Sequence, residues 1–182
     1  MNRQFRNLFA IYSVRTFVST SNRALVYTDG SFIKTKTGPG SGGIGVHFAD
    51  KHYPDISENY SLWFDPYKFP PTSNRCELLA IYRTISICLA HNIPAEIHTD
   101  SEYAINSIVY YGPRWNANGW YKLDGKPVKN IDLILPMYLV CSRMDNNFTF
   151  KHVQAHQKNK NQHTIGNVIA DALAKQGARK CL

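Results

Sequence analysis

Up to residue 64 the apolar residues of this chain come in short β-prone runs between turn residues, and from Ser73 they recur every three or four positions. That change of period restricts the fold more than any other feature. Residues 24–28 form a first strand that ends on a turn at Asp29-Gly30, and the Gly/Pro-rich residues 38–43 lead into a second strand over 44–48, so a hairpin opens the domain. Residues 60–64 are expected as a third strand, closed by the proline-broken run that follows. Leu78, Leu79, Ile81, Tyr82, Ile85, Cys88 and Leu89 then mark one face of a helix, with Thr72 or Ser73 as its N-cap and Pro94 as its stop. Beyond it the signals alternate: strand 95–99, helix 101–109, an exposed loop over 110–129, helix 131–144, strand 148–153 and helix 164–178. This order predicts an α/β domain with a five-stranded mixed sheet flanked by helices.

Two of these strands end alike. A carboxylate directly follows the last β-prone residue at Asp29 and at Asp100, and strand ends of an α/β sheet are where sites gather. Glu77 lies between Cys76 and Leu78, and Asp171 lies inside the apolar segment 168–174. An acid among apolar neighbours is costly unless it is paired or binds a cation. Taken singly, each has a bland reading: Asp29 starts a turn, Asp100 caps a helix, Glu77 favours the positive end of its helix. Together the four suit hard divalent cations, which take oxygen ligands and are held by few carboxylates plus substrate phosphates. Paired metals of this kind serve phosphodiester hydrolysis.

The remaining composition agrees with that chemistry and excludes others. The 182 residues have room for one domain and a short extension. A formal charge of +8 suits a polyanionic partner. Cys76, Cys88, Cys141 and Cys181 form no CxxC pair, which argues against a zinc knuckle or a disulfide framework; Cys76 and Cys88 are expected in a core. No apolar run approaches the ~20 residues of a membrane span. Residues 1–23 contain Arg3, Arg6, Arg15 and Arg23 and no acid, with Phe5, Leu8, Phe9, Ile11 and Tyr12 near helical spacing. This segment looks like a mitochondrial transit peptide, with a disordered basic leader as the alternative, in which case the protein is cytoplasmic or nuclear.

The segments YTDGS, NRCELLAIY, TDSEYAINSI, GPRWNANGW, HVQAH and GNVIADALAKQGA, in this order, resemble type 1 ribonuclease H over residues 24–180. The resemblance implies a ribonuclease H-like fold for residues 24–182 and an endonuclease that cuts the RNA strand of RNA–DNA hybrids to 5′-phosphomonoesters, as in removal of primers or R-loops. It implies two Mg²⁺ ions, or Mn²⁺, on Asp29, Glu77, Asp100 and Asp171. Nothing in the sequence demands more than a monomer. The resemblance assigns His156 to proton transfer or product release, a use that histidine titration suits. His156 and Asp171 are fifteen positions apart, more than the family's usual spacing, and His163 within the polar insert is a rival.

Ser73 and Asn74 match positions that contact ribose 2′-hydroxyls, the group that separates RNA from DNA. Relatives commonly carry Asn at Ser73, and a hydroxyl lacks the two-ended reach of an amide. Trp115, Trp120 and Lys122 match a basic protrusion that grips the DNA strand, helped by Arg114, Lys126 and Lys129. The bland reading is a Trp pair that packs the loop. Asn116 and Ala117 stand where relatives often have Lys, which implies a lighter grip. Two other readings are a noncatalytic nucleic-acid-binding domain, against which the four acids argue, and the same nuclease carried by a virus, mobile element or reverse transcriptase.

Overall fold

Strand β1 (Ala24–Ile33) lies at the centre of the sheet because both of its edges are used. On one side it pairs antiparallel with β2 (Ser41–Phe48), and on the other it runs parallel to β4 (Ala95–Thr99). Strand β3 (Ile56–Asn59) adds antiparallel to β2, and β5 (Phe148–His152) adds parallel to β4, giving the order β3-β2-β1-β4-β5. The computed structural model describes residues 23–50, 53–144, 147–154 and 161–180.

The sheet separates two layers. Val26, Ile44, Val46 and Ile97 pack on one face against helix α1 (Ser73–His91), whose Leu78, Leu79, Ile81 and Ile85 are almost fully buried. Thr72 caps α1 by accepting from the Arg75 N–H, and Asn92 ends it in the left-handed conformation. Cys76 and Cys88 belong to this core. Helix α4 (Ile131–Arg143) adds Leu133, Ile134 and Met137 to the same side. The other face meets helix α5 (Gln162–Arg179), started by a capping box between Asn161 and Thr164. Contact there is backbone to backbone: a Cβ at Gly45 would stand 2.0 Å from the Ala170 carbonyl oxygen, so only glycine lets α5 lie this close to β2.

Three expectations change. The third strand is Ile56–Asn59, and Tyr60–Leu62 is a single 3₁₀ turn in place of a strand over 60–64. Asn59 makes the change by accepting from Ser61 N and Oγ, while Tyr60 and Phe64 stack inward at 5.1 Å; their aromatic content suggested β structure but serves packing. Strand β1 runs through Asp29 and Gly30 without turning, because Gly45 and Ile44 of β2 continue the ladder opposite them. The segment expected as an exposed loop from residue 110 contains helix α3 (Gly112–Ala117), with proline in its first turn. It follows helix α2 (Glu102–Ile105), which widens into a π turn over Asn106–Tyr110. Among the described residues no helix is long and apolar enough to cross a membrane.

Candidate active site

Strand register places the first two acids. Thr28 pairs with Thr99 across the parallel β1–β4 ladder, so Asp29 and Asp100, each one residue later, emerge side by side at the carboxyl end of that ladder. The third arrives from the helix above. At Gly30 a Cβ would fall 2.2 Å from Glu77 N and 2.4 Å from Cys76 C, both backbone atoms, so the missing side chain lets the first turns of α1 settle onto β1 and bring Glu77 to Asp29. One ligand oxygen from each of Asp29, Glu77 and Asp100 lies within 4.8 Å of the other two.

Such crowding is electrostatically unfavourable for carboxylates alone. Burial, then the Asp100 charge, pushes the Asp29 carboxyl up to about 7, while a hydrogen bond with Glu77 opposes the rise. Burial and then the Asp29 and Asp100 charges push Glu77 well above its ordinary value. Glu77 Oε2 is buried and has no hydrogen-bond partner. An orphaned buried oxygen beside two further carboxylates is a set of hard oxygen ligands that a divalent cation would satisfy, and the residues therefore fit Mg²⁺ or Mn²⁺.

Asp171 stands outside this group of three. It is close enough for its charge to raise Asp29, but its Oδ2 accepts from Lys175 Nζ at 2.6 Å, one turn further along α5. Asn167, one turn before it and absent from the residues singled out in the sequence, reaches the acids instead: its Nδ2 donates to Asp100 Oδ2 at 3.3 Å. The only sequence signal for Asn167 is its four-residue spacing from Asp171, which puts both on one helix face.

His156 lies outside the described residues. His163 is committed elsewhere. Its Nδ1 bonds the Tyr27 hydroxyl at 3.0 Å, and its ring stacks on that of His98 at 4.7 Å, with the two planes 9° apart. His98 is held in turn by Glu96 at 2.7 Å, and burial keeps its pKa below the ordinary value. Glu96, His98 and His163, with Lys151, His152 and Asn161, line a cavity of about 390 Å³ to which Asp29, Glu77 and Asp100 do not contribute. Carboxylate ligand atoms converge at Asp29, Glu77 and Asp100 and not in this hollow.

Ser73 and Asn74 are exposed on the first turn of α1. Trp115, on α3, is half-buried and stacks on Tyr111 at 5.4 Å. Trp120 is only 9% exposed and packs edge-on against Tyr138, so most of its indole serves the anchoring of the protrusion, as in the packing reading. Lys122 is exposed, with Asp124 3.7 Å from its ammonium.

The family described as RNase H matches residues 21–179 of this chain. The chain is 33% identical over 153 residues to the ribonuclease H of Ruthia magnifica subsp. Calyptogena magnifica, covering 84% of this chain and 93% of that one. It is 34% identical over 154 residues to the ribonuclease HI of Pasteurella multocida (strain Pm70), covering 84% and 88%. The fold is similar to the solution structure of the PFV RNase H domain, with 27% identity, a TM-score of 0.65, and coverage of 86% of this chain and 94% of that one.

Proposed function

Because the chain belongs to the ribonuclease H family and is a ribonuclease H enzyme, we propose that it cuts the RNA strand of RNA–DNA hybrids internally, leaving 5′-phosphates. The observation that carries this reading is the convergence of Asp29, Glu77 and Asp100 within 4.8 Å at the end of the β1–β4 ladder. We assign two divalent cations, Mg²⁺ or Mn²⁺, to these three carboxylates and Asp171; bound there, they supply an activated water and neutralise the leaving oxygen. The chain's own contribution is the placement of acids by sheet register and glycine contact, with Asp29 buried and Glu77 and Asp100 partly so, which strengthens their hold on a cation. Asp171 joins by exchanging its Lys175 partner.

Substrate contacts follow from position. Ser73 precedes Glu77 by one helical turn and shares its face, which sets Ser73 and Asn74 to meet 2′-hydroxyls beside the reacting phosphate. Trp115 and Lys122 hold the DNA strand through stacking and phosphate contact, with Trp120 as their internal support. His156 assists proton transfer or product release; the engagement of His163 with Tyr27 and His98 favours this assignment over the rival. The protein acts as a monomer on primers or R-loops, in mitochondria if residues 1–23 direct it there. A fluorescent fusion of residues 1–23 that stayed diffuse in the cytosol would remove the targeting proposal.

The test is an incubation with labelled hybrid, double-stranded RNA and double-stranded DNA, with Mg²⁺ or with EDTA. The expected result is Mg²⁺-dependent cleavage confined to the RNA of the hybrid and abolished in Asp100→Asn. Binding without cutting, or equal cutting of double-stranded RNA, would overturn it.

A further inference from the structure

Asn167 is a buried amide, 6% exposed, on the face of α5 that meets the acids. Its hydrogen bonding is half complete. Nδ2 donates to Asp100 Oδ2, while Oδ1 is buried with no partner. The amide cannot be turned to exchange the two atoms, because an ionised carboxylate only accepts and would then meet the amide oxygen. The amide orientation is thus fixed by Asp100, and the orphaned Oδ1 follows from it. A buried acceptor left open in this way is destabilising unless something donates to it. The strongest donors a carboxylate metal centre adds are waters of the cation, which Mg²⁺ gives up reluctantly. Glu77 Oε2, in the same cluster of acids as Asp100, is likewise buried without a partner.

We propose that Asn167 is a positioning residue: its amide N–H group holds the Asp100 carboxylate in its metal-binding orientation, and its Oδ1 accepts a hydrogen bond from water carried by the bound cation. The inference rests on the metal-binding reading above. It gives α5 a second contribution to the site that does not depend on Asp171 leaving Lys175, and it explains why a polar residue occupies a buried position one turn before that acid. Outer partners of metal ligands commonly set affinity by about 10- to 100-fold.

The test is calorimetric titration of Mn²⁺ into the full chain, for wild type, Asn167→Ala and the isosteric Asn167→Asp, with melting curves in EDTA and in Mn²⁺. For Asn167→Ala the dissociation constant of Mn²⁺ should rise about tenfold. Hybrid cleavage should need correspondingly more Mn²⁺, about tenfold, for its half-maximal rate. For Asn167→Asp, which sets a like charge against Asp100, the melting temperature in EDTA should fall while the gain on adding Mn²⁺ exceeds that of wild type. A folded Asn167→Ala protein with unchanged Mn²⁺ affinity, or an Asn167→Asp protein whose Mn²⁺ gain does not exceed wild type, would overturn this inference alone. Wild type that bound no Mn²⁺ would overturn the metal-binding reading and this inference with it.

Discussion

Replacing Asp29 by Asn should make the metal-free protein more stable in alkali, although it removes a metal ligand. Asp29 is 7% exposed, and its carboxyl is pushed from 3.8 to about 7 by burial and by its neighbours' charges. Between these values the folded protein keeps a proton that the unfolded chain has lost. A raised folded pKa gives stability that is complete below the unfolded value and disappears as pH climbs through the folded one. At 1.36 kcal/mol per pH unit the rise is worth at most about 4 kcal/mol, all of it lost above pH ~7. An amide never ionises and so escapes this loss. By pH 5 wild type has already lost about 1.5 kcal/mol of this, so in EDTA the advantage of Asp29→Asn should grow by about 3 kcal/mol between pH 5 and pH 8.5, on the order of 10 °C in melting temperature. Urea unfolding in EDTA across that range measures the difference directly. Mg²⁺ should stabilise wild type only. Parallel curves from pH 5 to 8.5, or a mutant less stable than wild type at pH 8.5, would refute the reasoning.

Gly30→Ala should cost about 3 kcal/mol or more in urea unfolding, because the new methyl meets only backbone of α1 and the helix must lift off β1; Mn²⁺ affinity should fall with it as Glu77 is displaced. Trp120→Ala should lower stability by about 3 kcal/mol through loss of the buried indole, read from thermal unfolding by circular dichroism. Lys122→Ala should leave stability within about 0.5 kcal/mol yet raise hybrid KM, with the slope of log KM against log salt reduced by about 1.

The positions of Asp29 and Asp100 are legible in sequence because a carboxylate directly after a β-prone run needs no long-range information. Helix α1 is legible for the same reason, since its apolar spacing and the Thr72 cap are local. What escapes is what pairing decides. Edge strand β3 carries Ile-Ser-Glu-Asn, with no period-two apolar signal, and exists because β2 offers it a ladder. Gly30 looks like a turn residue, and only the approach of α1 shows why it is glycine inside a strand. Helix α3 has a valid start signal in Gly112-Pro113, overridden by the surrounding Gly, Trp and Lys content. Asn167 is silent in sequence because an Asn on a helix is ordinary; its meaning lies in Asp100, sixty-seven residues away.

Everything proposed for this site depends on Asp29, Glu77 and Asp100 converging to hold a divalent cation. Crystals soaked in Mn²⁺ and measured for anomalous scattering test it most directly. The expected result is an anomalous peak coordinated by all three carboxylates and lost in Asp100→Asn. A peak only in the hollow beside His98 and His163, or none in crystals containing Mn²⁺, would contradict it.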